Sequence, residues 1–317
     1  MNARLQQIKA LAGLLFLAGS FSVASAQTIQ LNVAQMSRDQ VTTAPTGSMA
    51  TTTGDDSHVV ASPNDADLGE QQILKRTEGY QPFVVSVGVP FYWTSNVALT
   101  NSGEQSDFIV SPVAAIAYQP KLPVQNLYGF VSLRQQMFYY DRLTSFDFGS
   151  FDAAVGLTYT IPQVYNLVLH AGYDYNRLTK KNSFDSFFSN HMFTLSAELP
   201  FRINRAQSFS VGADTYLSIG ADPEGPRRHD FDWYAVYSVQ VTRALFVGVS
   251  GRILLHEYVQ GDRVDVGEMV ALNATYSITD NFSASALFSF SANQSNHSVF
   301  DYQVGNGGGA LSFSIRF

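Results

Sequence analysis

From Pro82 to Phe317, apolar and polar residues alternate with a period of two, and this pattern constrains the fold more than any other feature of the chain. It is clearest at the end of the chain, where Ser312, Ser314 and Arg316 separate the apolar residues Leu311, Phe313, Ile315 and Phe317. Successive side chains of a β-strand point to opposite faces, so a period of two predicts strands with one apolar and one polar face. The segment is therefore expected to be all-β.

The alternation divides this segment into twelve predicted strands. We expect them near residues 83–98, 108–118, 127–140, 151–161, 165–177, 191–201, 208–220, 231–242, 245–258, 266–278, 282–294 and 308–317. Each can supply the roughly 9–11 tilted residues that cross a bilayer. Some connections are tight and others are long and polar, the long ones being 179–190, 221–230 and 295–307. Short turns on one side and long loops on the other are typical of outer-membrane barrels, whose chain ends lie on the periplasmic side.

A soluble β-sandwich or barrel is the alternative, and it would need charges on its polar face. Here that face is mainly Ser, Gly, Thr and Asn, and charged residues make up 14% of the chain, against roughly a quarter in typical soluble proteins. Aromatic residues gather near strand ends, as in interfacial girdles: Phe91, Tyr92, Trp93, Tyr139, Tyr140, Phe231, Trp233 and Tyr234. The sequence thus predicts an antiparallel transmembrane β-barrel of the bacterial outer membrane over 82–317.

The residues before the barrel have a different composition. Residues 1–26 have the pattern of an export signal, because Arg4 and Lys9 precede a short apolar run and a small-residue cleavage pattern ends at Ala26. Residues 27–81 are rich in Thr, Ser, Gln and Asp and lack the apolar content that a packed core needs. We expect them to form a mostly disordered periplasmic lead-in.

Charge and cysteine content exclude several classes of function. The formal charge of −7 becomes −9 when Arg4 and Lys9 leave with the signal, so a nucleic-acid partner is not expected. The chain contains no cysteine, which excludes disulfides and thiolate chemistry. No residue pattern calls for a cofactor.

The terminal strand resembles the C-terminal signal of bacterial outer-membrane proteins, in which the barrel-assembly machinery reads a final Phe and apolar residues at every second preceding position. The matching residues are Leu311, Phe313, Ile315 and Phe317. The whole of 82–317 resembles porin-like outer-membrane barrels. This resemblance implies two partners, the outer-membrane lipid bilayer and the barrel-assembly machinery, and it leaves homo-oligomerisation open.

Catalytic and metal-binding patterns are weak. Lipid hydrolases of twelve-stranded barrels, which this chain resembles in strand number, have a His-x-Ser arrangement that pairs a serine nucleophile with its base. None of the six histidines is followed two residues later by Ser, and the adjacent His297 and Ser298 would point to opposite faces of a strand. Acidic residues and His229 gather between Asp222 and Asp232, but without the spacing of a calcium loop. We expect neither an enzyme nor a metal site.

The polar face of the predicted barrel supplies the candidate site, its lumen. Most inward residues are small, as expected of a barrel that holds water. The inward charges are Arg134, Arg252 and Arg316 with Asp152, Asp174, Glu198, Asp214 and Asp232. Near mid-height, a ring of candidate constriction residues could select solutes by charge: Arg134, Asp214 and Arg252, with His170 and Tyr216 close by.

Two readings of these charges stay open at the level of sequence. A constriction formed by Arg134, Asp214 and Arg252 predicts a mild anion preference, whereas salt bridges that only brace the wall predict an effect on stability alone. The first reading makes the chain a porin-like channel for passive diffusion of small hydrophilic solutes. The alternative is a plugged barrel that serves structure or docking, and a lipid hydrolase is the third hypothesis.

Overall fold

A computed structural model describes residues 80–181 and 183–317. They form thirteen strands in a single sheet. The strands are β1 (Phe83–Thr94), β2 (Asp107–Val110), β3 (Val113–Tyr118), β4 (Leu127–Tyr140), β5 (Phe148–Ile161), β6 (Leu167–Lys180), β7 (Ser186–Arg202), β8 (Gln207–Asp222), β9 (Arg228–Gln240), β10 (Leu245–Tyr258), β11 (Val264–Ser277), β12 (Phe282–Ser295) and β13 (Tyr302–Arg316). Two short 3₁₀ helices, Thr144–Phe146 and Ser298–Phe300, lie in connections. Within these ranges no helix is long and apolar enough to span a membrane.

The sheet closes into an antiparallel barrel with twelve strand positions. Strands β2 and β3 share one position, because both lie between β1 and β4. The interruption falls at Ser111 and Pro112, where proline has no N–H to donate to a neighbouring strand. Since β13 pairs with β1, no strand edge is left open. The predicted twelve-stranded barrel is confirmed, and the one predicted strand at 108–118 is divided in two.

The closing seam joins the two ends of the barrel segment. The Phe83 N–H donates to the Phe317 carbonyl at 3.0 Å, the Phe317 N–H donates back at 3.1 Å, and the two rings stack at 5.5 Å. Further along the seam, a Cβ atom on Gly308 would overlap the backbone of Phe91 and Tyr92. Glycine therefore allows β13 to approach β1 closely enough to complete the hydrogen-bonded ring.

The outer face of the barrel is apolar and remains exposed in the isolated chain. Six such side chains on β10 to β12 are 41–59% exposed: Val249, Ile253, Val270, Leu272, Phe288 and Phe290. A hydrogen-bonded barrel with this outer surface satisfies its backbone internally and presents hydrocarbon to lipid. The outer face therefore matches a bilayer and not water.

The aromatic residues near strand ends follow the alternation strictly, which corrects part of the predicted girdle. The outward members are Phe91, Trp93, Tyr139, Phe231 and Trp233. Tyr92, Tyr140 and Tyr234 point into the barrel instead. Adjacent residues of a strand cannot both face lipid, so only every second residue of such a run can belong to a girdle.

The two ends of the barrel differ in their connections. At the end that holds Phe83 and Phe317, which we call the periplasmic end, the turns are 119–126, 162–166, 203–206, 241–244 and 278–281. The opposite, extracellular end has 95–106, 141–147, 181–185, 223–227, 259–263 and 296–301. The predicted long loops at 179–190, 221–230 and 295–307 are wrong in extent. Strands β7, β8, β9 and β13 continue into these predicted loops. Their backbones stay paired beyond the lipid-facing apolar belt, where both faces of a strand can be polar and the alternation that predicts strands is lost.

The predicted signal at 1–26 lies outside the described residues, as does the lead-in at 27–81 up to residue 79.

Candidate functional site

The lumen is lined by the side chains that alternate with the lipid-facing ones, and its two halves differ. In the periplasmic half, many inward residues are small or polar and partly accessible: Ser86, Gly88, Gly156, Thr158, Gly172, Gly212, Ser283 and Ser285. Larger side chains such as Phe130 and Phe246 also point inward there, and Ser238 and Asn273 are buried. In the extracellular half, inward residues are buried around the whole circumference: Thr94, Ser111, Gln136, Ser150, Asn176, Asn190, Ser218, Asp232, Arg252, Met269, Ser291 and Asn306. The lumen is thus accessible near its periplasmic end and packed with side chains towards the extracellular end.

Arg252 lies in this packed region, bound to the neighbouring strand. Its Nη1 donates to Asp232 Oδ2 at 2.8 Å, and the two side chains are 1% and 2% exposed. The guanidinium also lies 5.3 Å from the centre of the Tyr234 ring. Tyr234 in turn crosses over Gly212 and donates its hydroxyl to Glu198 Oε2 at 3.4 Å. These contacts favour a structural role for Arg252, because its positive charge is paired with the Asp232 carboxylate of the neighbouring strand.

Asp214 and Tyr216 project from β8 towards the same wall. Asp214 is buried and pairs in register with Asp232 on one side and Ser196 on the other. Tyr216 pairs in register with Asp230. The structure therefore brings Asp214 next to the Arg252–Asp232 pair, as a group of three inward charges on β8 to β10.

Arg134 and His170 lie elsewhere on the circumference. Arg134 is on β4, which faces β10 across the barrel, and its Nη2 donates to Gln136 Oε1 at 2.5 Å beside Asp152 on the next strand. The His170 Nδ1 lies 3.1 Å from Thr158 Oγ1. The five candidate constriction residues all point inward, but they are distributed over opposite walls. Selection by this ring stays a prediction.

The extracellular half contains an apolar cluster that sequence reasoning missed. Its buried members are Val97, Ile109, Phe138, Tyr140, Phe148, Leu178, Phe187 and Phe188. The Phe138 and Phe148 rings stack at 4.4 Å. A register shift opposite Leu178 allows Phe187 and Phe188 both to reach the cluster, as a β-bulge does. Aromatic residues at inward positions, such as Phe138 and Tyr140, are the sequence feature that could have indicated this cluster.

The other side of the extracellular half is charged. Asp230 Oδ1 lies 2.7 Å from both Arg228 Nε and His256 Nδ1. Nearby, Arg263 forms an ion pair with Asp265 and stacks its guanidinium 3.5 Å from the centre of the Phe300 ring. Three residues of the polar group between Asp222 and Asp232, namely His229, Asp230 and Asp232, thus lie on β9, where both carboxylates take part in ion pairs. Among the described residues, no three His, Asp or Glu side chains converge as a metal site would require.

Comparisons with known proteins support the fold. No protein-family model matches the chain, and no curated protein matches it in sequence. An outer-membrane channel from Pseudomonas putida F1 has a similar structure, with a TM-score of 0.50 and 10% identity over 75% of this chain and 96% of that one. Omp33 of Acinetobacter baumannii (TM-score 0.39, 14% identity, 75% and 98% coverage) and the KdgM porin (0.41, 8%, 73% and 99%) are more distant. The first likeness and the lipid-facing surface identify an outer-membrane β-barrel.

Proposed function

We propose that this barrel is a channel for passive diffusion of small hydrophilic solutes across the outer membrane. The observation that carries the proposal is the lining of the periplasmic half, where partly accessible Ser, Gly and Thr residues form much of the inner wall. A polar interior of small side chains leaves space for water, and water carries hydrophilic solutes. The packed extracellular half is then the barrier that such solutes must pass.

The ion preference of the proposed channel depends on which inward charges are paired with a charge of opposite sign. Arg252 is bound to Asp232, and Arg134 stands beside Asp152. The sequence assigns five carboxylates and three arginines to the inward face, and the structure adds at least Asp230, Asp265 and Arg228 to it, so carboxylates remain in excess. With Arg252 neutralised in the wall, we propose a mild preference for cations, which reverses the preference that the sequence alone suggested.

A planar-bilayer recording with the purified, folded chain tests the channel proposal. Discrete conductance steps that vanish when the protein is boiled before insertion support it. Liposomes that swell in small sugars but not in large ones would show diffusion through a pore of limited size. Absence of both signals from correctly folded protein would contradict the proposal.

A plugged barrel is the second candidate, and the burial of the extracellular half favours it. Such a barrel would serve the envelope as a structural or docking element. It predicts a silent bilayer recording from folded protein, whatever the voltage. The same recording therefore separates the two candidates.

We also propose that the terminal strand is read by the barrel-assembly machinery. Leu311, Phe313, Ile315 and Phe317 all point outward and are more than 40% exposed, so they lie on the outer surface of the barrel, where a partner can contact them. Phe317→Ser should reduce the amount of chain in the outer membrane, while Phe184→Ser in an exposed extracellular loop should not. Normal membrane levels of the Phe317 variant would refute this role.

A further inference from the structure

We infer that residues 95–106, the connection between β1 and β2, form a gate that closes the extracellular mouth of the lumen. This inference rests on the proposed channel function and adds its regulation. Segment 95–106 is the longest connection between strands in the described chain. Three of its residues are buried, Asn96 and Val97 at 1% exposure and Leu99 at 7%. A loop that merely covered the mouth would leave such residues in solvent.

Val97 is the residue that closes the mouth. It packs into the apolar cluster of inward side chains, whose other members come from β2, β4, β5, β6 and β7. Tyr92 of β1 packs against the same cluster from the inner wall. Val97 thus joins one cluster with inward side chains from nearly half of the circumference, and its withdrawal would remove one wall of that cluster. An apolar constriction excludes water and ions without any charge of its own.

Polar contacts attach the start of the segment, at Ser95 and Asn96, to strand β13, which pairs with β1 at the closing seam. The Ser95 N–H donates to the Gly305 carbonyl at 2.9 Å, and the Gly305 N–H donates to Ser95 Oγ at 2.9 Å. The Asn96 side chain donates to the Gln303 carbonyl at 3.1 Å. These hydrogen bonds fix the start of the segment from which Val97 enters the cluster. They are few, and each makes only a small net contribution, so the attachment can be reversible.

The gate also holds a strained residue. Leu99 has φ of 50°, in the left-handed region that a branched side chain rarely adopts. Such a conformation persists only where surrounding contacts impose it, and here Asn96 supplies them through bonds to the Thr100 N–H and carbonyl. Both bonds lie within the segment, so this turn moves with the segment as one unit. The closed position is thus held by Val97 packing and the seam contacts.

Val97→Asp tests the gate directly. A carboxylate cannot remain in the apolar cluster unpaired, so the segment should leave the lumen and the channel should open more often. Val124→Asp is the matched control, since Val124 lies 57% exposed in the periplasmic turn 119–126. We expect at least a several-fold rise in open probability for Val97→Asp and wild-type behaviour for Val124→Asp. Heat-modifiable gel migration verifies that both variants are folded.

A second readout does not depend on conductance. Because the chain has no cysteine, Ser111→Cys is a unique label site, and Ser111 is 0% exposed below the cluster. In intact cells, a membrane-impermeant maleimide should leave Ser111→Cys unlabelled. It should label the same cysteine when Val97→Asp is added, but not when Val124→Asp is added.

A reversible lock provides the third variant. A Cβ on Gly305 would lie 3.9 Å from Ser95 Oγ, so cysteines at these two positions are close enough to form a disulfide. Oxidation of Ser95→Cys/Gly305→Cys should reduce open probability, and a reductant should restore it in the same membrane. The lock acts only two residues from Val97, and its reversal excludes misfolding as the cause.

The outcomes separate the gate from the channel. Equal conductance of wild type, Val97→Asp and the locked variant, with no change in Ser111→Cys labelling, would overturn the gate and leave the channel standing. Silent recordings from all variants, with labelling that still depends on Val97→Asp, would retain the gate and overturn the channel. Silent recordings without labelling would overturn both.

Discussion

The two halves of this barrel share the same twelve strand positions but use their inner faces differently. In the extracellular half, stacked rings such as Phe138 and Phe148 and the Arg252–Asp232 pair fill the lumen. In the periplasmic half, many inward positions hold Ser or Gly and remain partly accessible. The backbone ladder is continuous through both halves, so strand pairing alone does not determine whether a barrel is open. Whether the lumen is open depends on the size and pairing of the inward side chains, which occupy every second position of each strand.

The largest expected effect concerns the buried ion pair. Arg252→Ala removes the arginine that pairs with the buried Asp232 carboxylate, and breaking such a buried pair costs roughly 3–5 kcal/mol. Arg316→Ala at the exposed periplasmic end is the control, and it should change stability by about 0.5 kcal/mol or less. The temperature at which the heat-resistant gel band disappears measures both. A stable Arg252→Ala barrel with an altered reversal potential would support the constriction reading of Arg252 instead.

A second, somewhat smaller effect compares two rings on one strand. Phe138 is 1% exposed in the apolar cluster, whereas Phe130 is half-buried beside His170 at a ring distance of 5.7 Å. Phe138→Ala should cost about 3 kcal/mol, near the lower end for such deletions because neighbouring rings can partly collapse. Phe130→Ala should cost roughly 1 kcal/mol, since less surface is buried. Equal losses in urea unfolding would show that the two halves are packed alike.

The sequence predicted the barrel because alternation is a local property, visible in runs such as 282–294 without knowledge of their partners. It did not predict the packed half, since that half depends on which inward side chains meet across the lumen. Phe138 and Val97 are 41 positions apart in the chain, and nothing local shows that they belong to one cluster. The same limit applies to Arg252, whose partner Asp232 is fixed by the register between β9 and β10.

A smaller effect concerns ion preference in the accessible half. Glu198→Gln removes an inward carboxylate, so the reversal potential should shift towards anions. The control is Glu268→Gln, because Glu268 is a carboxylate on the outer face of β11 and should not affect the permeating ions. Partly exposed charges contribute up to about 1 kcal/mol, which corresponds to at most about a fivefold change in permeability ratio. Identical shifts for both variants would place the effect outside the lumen.

The difference between the two halves can be measured most directly on one strand. Ser285 and Ser289 both point inward from β12, but Ser285 is partly accessible whereas Ser289 is 0% exposed. As the chain has no cysteine, Ser285→Cys and Ser289→Cys each give a single thiol. In folded, detergent-solubilised protein, a hydrophilic maleimide should react with Ser285→Cys at least tenfold faster, because water reaches only the periplasmic half. Equal rates at the two positions would contradict a lumen that is open at one end and packed at the other.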